Sequence, residues 1–181
     1  DKKKEWIAQK LQAVARRNEL HKEKQYINGE DFMYLGNSCK LEISNDEQQV
    51  VLKNYRLMLP GKELGMAEEK IVEWYKNEAQ RIIRQRAEYY SQLTGISYKS
   101  VRITDAKRRW GSCGPKGSLN FTWRLVMAPL CVIDYVVVHE LAHVEFADHS
   151  KKFWTRVQEI MPNFEERRKW LEENQKILDL M

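Results

Sequence analysis

Apolar residues recur along this chain at two periods, and the changes of period divide it into elements. Trp6, Ile7, Leu11 and Val14 share one face of a helix over about residues 5–20. From Gly29 the period shortens. Phe32 to Leu35, Lys40 to Ser44 and Gln49 to Lys53 are short β-prone runs separated by Gly36-Asn37 and Asn45-Asp46. They predict a small antiparallel meander over about 29–60, closed by Pro60-Gly61 and Gly65. Ile71, Tyr75, Ala79, Ile82 and Ile83 then stripe a long helix from Ala67 to Leu93, stopped by Gly95. Two further strands, Ser100 to Asp105 and Ser118 to Leu125, flank the glycine-rich stretch Trp110 to Gly117.

Beyond Pro129 the pattern loses its polar face. Leu130-Cys131-Val132-Ile133 and Tyr135-Val136-Val137-Val138 are apolar nearly all round, as in a buried helix with Pro129 as its first residue, although the β-branched run also suits a buried strand. Asp148 or Ser150 caps a following helix carrying Phe153, Trp154, Val157 and Ile160. Pro162 separates it from a last helix with Phe164, Trp170, Leu171 and Leu178. The expected class is α+β: one domain over 1–181, with a small antiparallel sheet packed by helices and a core over about 67–181.

Candidate chemistry sits at the end of the buried segment. Three of the four histidines, His139, His143 and His149, fall within eleven residues, and the first two bracket Glu140 in the pattern HExxH. On a helix, residues four apart lie about 40° apart around the axis, so both imidazoles can reach one ion. Glu140 is rotated to the side, placed to take a proton from a water bound there. A strand would throw His139 and Glu140 to opposite faces, so the chemistry favours the helix. A turn after the helix would return His149 as a third ligand, and three protein ligands with an open position describe a catalytic zinc site. The competing account is a set of core histidines satisfied by other partners. HExxH alone is a weak pattern.

Composition narrows the class further. The net charge of +5 is local. Between Ser97 and Arg124, seven bases (Lys99, Arg102, Lys107, Arg108, Arg109, Lys116 and Arg124) face one acid, Asp105, and the remainder is close to neutral. Segment 97–124 therefore offers an anionic or nucleic-acid partner a basic surface, or is simply a solvated strand edge protected by charge. Cys39, Cys113 and Cys131 are odd in number and lack any CxxC, which argues for reduced thiols. With no run of eighteen apolar residues and no signal-peptide core after Lys2-Lys3-Lys4, the expectation is a cytoplasmic protein with no membrane partner. His21 receives no role.

Two blocks carry a resemblance. Arg109-Trp110-Gly111-Ser112-Cys113 through Leu119-Asn120-Phe121-Thr122-Trp123-Arg124-Leu125, followed by Asp134 to His143 with His149-Ser150 and Phe153-Trp154, resembles the YgjP-like metallopeptidase family. The resemblance implies a zincin-like fold, a core similar to SprT-like proteases, one zinc ion on His139, His143 and His149, and Glu140 as general base. Arg109 and Asn120, inside the same blocks, are the candidate substrate-binding residues. The histidine spacing also matches metzincins, but Phe146 stands where those enzymes place a turn glycine, so the backbone must reach His149 by another route. Glu159 and Glu165 are the rival third ligands.

The function expected is a zinc-dependent hydrolase, in first place a metallopeptidase acting on peptide or protein. The alternatives are a metal-dependent nucleotide or phosphoanhydride hydrolase and a non-catalytic nucleic-acid-binding module with a structural metal. Arg109 either stabilises an oxyanion or forms an ion pair with Asp134 or Asp105. Ser118 to Trp123 serves either as an edge strand that pairs with substrate or as an interior strand. Cys113 approaches the metal or fills a tight turn as a small buried thiol.

Overall fold

The computed structural model describes residues 24–179; the expected N-terminal helix and His21 lie outside them. Among the described residues, two small sheets and four helices enclose one hydrophobic core. The first sheet contains β1 (Asp31–Tyr34), β2 (Asn37–Ser44), β3 (Val51–Lys53) and β4 (Arg56–Pro60), in the order β1-β2-β4-β3. It is not the expected antiparallel meander. Asn54 and Tyr55 both take positive φ, 49° and 59°, and close a β3–β4 hairpin that places β4 between β3 and β2. β4 then runs parallel to β2, with Leu41 beside Leu57 and Ile43 beside Leu59. Leu41, Leu57 and Leu59 thereby bury together, and this shared apolar face outweighs the simpler sequential pairing.

After a 3₁₀ turn at Gly61–Met66 comes α1 (Ala67–Thr94). Its buried residues are Ala67, Ile71, Tyr75, Ala79, Ile82, Ile83, Ala87 and Tyr90, a stripe at helical spacing, and Gly95 caps it in the left-handed region with φ 73°. The second sheet holds β5 (Ser100–Thr104), β6 (Gly111–Gly114) and β7 (Ser118–Thr122), in the order β5-β7-β6. β6 lies inside the glycine-rich stretch expected to be only a connection. β7 is the central strand, parallel to β5 and antiparallel to β6, so Ser118 to Thr122 is interior and the edge strand is β6.

The expected continuation of β7 to Leu125 is instead a 3₁₀ turn, Trp123–Met127, with all five residues buried. Side-chain bonding accounts for the change. Trp123 Nε1 donates to Asp105 Oδ1 at 2.8 Å, Arg124 pairs with the same carboxylate, and Trp123 stacks on Tyr75 with centroids 5.6 Å apart. Arg124 is only 1% exposed, so one of the seven local bases is neutralised inside the fold while the other six are exposed.

The remaining helices are α2 (Leu130–Glu145), α3 (Lys151–Ile160) and α4 (Phe164–Glu173), followed by a 3₁₀ turn at Gln175–Asp179 where a continuous last helix was expected. Pro129 is the cap of α2 rather than its first residue, and its carbonyl accepts from the Val132 and Ile133 N–H groups. Nine residues of α2 are buried, from Val132 to Ala142, which settles the strand alternative in favour of helix. Among the described residues no helix is long and apolar enough to cross a membrane.

The β1–β2 turn anchors α2. Leu35 and Gly36 donate their N–H groups to the Val126 and Met127 carbonyls at 2.9 and 3.0 Å. Gly36 has φ +80°, and a Cβ there would lie 2.8 Å from Pro129 Cγ and 3.1 Å from its Cα. Gly36→Ala combines positive-φ strain with a backbone clash and is expected to cost about 1–3 kcal/mol. Urea denaturation checks this; an unchanged midpoint would mean that the first sheet does not bear on the start of α2.

Candidate active site

Residues four apart on α2 bring His139 and His143 to one side of the helix. The helix then ends on Phe146, which is extended at φ −132° and ψ 111° rather than left-handed, and donates its N–H to Ala142 at 2.9 Å. An Asx turn follows, with the Ser150 N–H donating to Asp148 Oδ1 at 3.1 Å. Ser150 occupies the cap position of α3 without a side-chain capping bond. This non-glycine route returns His149 to the helix. Its Nε2 lies 3.0 Å from His139 Nε2 and 3.2 Å from His143 Nε2.

These separations fit a metal centre. Two ligands each 2.0–2.1 Å from a tetrahedral ion stand about 3.3 Å apart. Burial pushes the His139 imidazole down to about 3, with His143, His149 and Arg168 adding to the shift. Burial and His143 also lower His149 against the opposing pull of Asp148. Neutral rings offer lone pairs. The His143 Nδ1–H donates to the Phe146 carbonyl at 3.0 Å, which leaves Nε2 as the unprotonated nitrogen. The floor is aromatic: Phe153 packs 4.4 Å from the His143 ring, and Trp154 stacks on His149 at 5.6 Å. Among the described residues this is the one group of three His, Cys, Asp or Glu side chains close enough to hold a metal ion. Of the rival ligands, Glu159 and Glu165 are both exposed, and Glu159 pairs with Arg156 at 3.4 Å.

Glu140 is 4% exposed and sits between α2 and the edge strand β6. Burial pushes its carboxyl up to about 8, against the Arg109 charge and a hydrogen bond donated by the Cys113 backbone N–H. Oε2 is buried without a hydrogen-bond partner. The carboxylate rests directly on Gly111, where a Cβ would lie 2.6 Å from Oε1 and 2.8 Å from Cγ. Strand alternation puts Gly111 and Cys113 on one face, which must be small at its first position for the acid to fit. The Cys113 thiol is raised by burial and by Glu140, lies 3.6 Å from the Gly114 carbonyl and is outside the ligand group, as a small packing residue would be.

A cavity of about 280 Å³ opens beside Glu140 and His139. Arg109, Trp110 and Gly111 form one wall, Tyr135 and Val136 of α2 another, and Arg168, Leu171 and Glu172 of α4 a third. Arg109 is exposed at this cavity, and neither expected ion pair forms, because Asp105 is held by Arg124 and Asp134 by Arg86. Asn120 is elsewhere. It lies on β7 opposite Ser112, and its amide donates to the Ser112 and Ser118 carbonyls at 3.3 and 3.2 Å. Tyr135, Arg168 and Glu172 were not singled out from the sequence. Tyr135 had a signal, since it precedes His139 by one helical turn; the α4 residues had none.

Gly111→Ala is expected to displace the Glu140 carboxylate or part β6 from α2, at a cost of about 1–3 kcal/mol. Chemical denaturation together with circular dichroism checks it. Unchanged stability would show that the acid moves freely and that the glycine does not fix its position.

A search of curated proteins finds no match. The crystal structure of the metallopeptidase zymogen of Pyrococcus abyssi abylysin is similar over 51% of this chain and 95% of that chain, at 22% identity and a TM-score of 0.47. A family model described as YgjP-like, metallopeptidase domain, matches residues 1–174 and so takes in both sheets, the three histidines and Glu140. The chain therefore belongs to the YgjP-like metallopeptidase family.

Proposed function

We propose that this metallopeptidase-family protein is a zinc peptidase, with one zinc ion on His139, His143 and His149 and Glu140 as general base. The observation that carries the reading is the convergence of three imidazole nitrogens beside a buried, unpaired carboxylate oxygen. An all-imidazole set suits zinc better than magnesium or calcium, which take oxygen ligands. Bound there, zinc supplies Lewis acidity that acidifies water and polarises a carbonyl.

The chain's own groups do the rest. Glu140 takes a proton from the attacking water and passes it to the leaving amine. Gly111 and the Cys113 N–H hold the carboxylate in place for both transfers. The substrate runs along the edge formed by Trp110 and β6, not along β7, and enters past Arg109. Exposed Lys107 and Arg108, next to Arg109, draw anionic segments of a peptide or protein toward the entrance. Asn120 acts at one remove, by tying β6 to β7. Membership in a metallopeptidase family puts the peptide bond ahead of the phosphoanhydride as the bond cleaved.

Metal analysis of protein purified without chelators is expected to find about one zinc per chain. His149→Ala should lose zinc as severely as His143→Ala; retention in the first alone would remove His149 from the ligand set. Glu140→Gln is expected to keep the zinc while turnover of a casein or peptide-library substrate falls by at least about 10²-fold. Full activity in that variant would end the case for Glu140 as base.

A further inference from the structure

Three tyrosines among the described residues are buried, and one of them has no hydrogen-bond partner. Tyr75 donates to the Met33 carbonyl at 2.7 Å, and Tyr90 bonds to the Arg86 and Asp134 side chains. Tyr135, only 4% exposed, bonds to nothing within the described residues. The ring is buried, but the hydroxyl reaches solvent where the residue lines the cavity, so it is free to bond a molecule bound there. The charged groups around it are Arg168, Glu172 and Glu140, and all three line the cavity that Tyr135 itself lines. The phenol therefore sits among groups that face open space rather than packed core.

Its ring is also fixed. Tyr135 stacks on Phe164 at 6.2 Å and 20°, and meets the His139 ring edge-on at 5.9 Å and 68°. It stands one helical turn before His139, on the side of α2 that carries the site. Arg109 and Arg168, the cationic donors at the cavity, are exposed on long, flexible side chains. A rigid donor that opens on the cavity without a protein partner can stabilise charge developing during a reaction, because it needs little reorganisation when that charge appears.

We infer that Tyr135 donates a hydrogen bond to the carbonyl oxygen of the peptide bond being cleaved, and is a further catalytic residue of this site. The inference rests on the peptidase reading above. The hydroxyl keeps its proton throughout; Glu140 alone carries the proton of the attacking water.

Tyr135→Phe removes the hydroxyl and retains both ring contacts. The expected result is a fall in kcat of about 10²–10³-fold with KM within about 2-fold of wild type. Zinc stoichiometry and melting temperature should be unchanged, since only a cavity-facing hydroxyl is lost. Affinity for a phosphonamidate peptide, whose tetrahedral oxygens imitate the developing oxyanion, should fall in parallel with kcat/KM. Unchanged kcat, a rise in KM alone, or loss of zinc would each overturn the assignment, the last because the residue would then act through the metal ligands. Glu140→Gln measured alongside separates the two levels. If wild type and Glu140→Gln are equally inactive on every peptide, the peptidase reading and this inference fall together; if only Tyr135→Phe matches wild type, this inference alone falls.

Discussion

Glu140 lies against Gly111, and this contact between a buried acid and an edge strand governs the architecture around it. A carboxylate driven into the core raises its proton affinity unless donors or cations compensate. Here the compensation is partial: one backbone N–H from Cys113 and the nearby charge of Arg109. Both come from the segment that includes β6, so the strand must approach α2 closely, and that closeness requires a residue without a side chain at position 111. The second sheet is thus arranged as much by the needs of one acid as by its own ladder.

The same helix has to be held at both ends. At its start, Pro129 packs on Gly36 of the β1–β2 turn, whose N–H groups bond to Val126 and Met127. At its end, the extended Phe146 receives the His143 Nδ1–H on its carbonyl and directs the chain toward His149. The middle is fixed by packing, with α1 contributing the Arg86–Asp134 ion pair. A helix pinned in this way holds its side chains in fixed positions, which loops do poorly.

The long elements and the pairing of His139 with His143 were legible in the sequence because each rests on a local period: a stripe on α1 and four-residue spacing in HExxH. The route to His149 was partly legible, since Phe146 excluded a positive-φ turn. The strand pairing was not, for two physical reasons. The β3–β4 hairpin turns on Asn54-Tyr55, and a tyrosine at φ 59° gives none of the usual asparagine-glycine signal. β6 is rich in glycine, so it has almost no β-propensity and forms because β7 and Glu140 provide partners on either side. Arg124 misled the charge reading, because its partner Asp105 is nineteen residues away and only the 3₁₀ turn brings the two together. The α4 wall of the cavity was invisible for the same reason: no periodicity states which face of a distant helix will meet the site.

The buried polar atoms that lack partners bear on why the site should be read as functional rather than structural. His139 Nδ1 and Glu140 Oε2 are both buried and unpaired, on adjacent residues of a largely apolar helix. A sequence selected for stability alone would replace them with apolar residues of similar size, since each unsatisfied group costs roughly 1–3 kcal/mol. Histidines serving only as core residues would be hydrogen-bonded on both ring nitrogens or replaced. Instead, three imidazoles turn their Nε2 atoms toward one another at 3.0–3.2 Å, where neutral lone pairs repel unless a proton or a cation lies between them. Burial makes protonation unfavourable at His139, so a proton is the poorer occupant of that space. The arrangement suits a cation among the imidazoles, and the unpaired acid and the cavity-lining phenol beside it can bond a polar substrate.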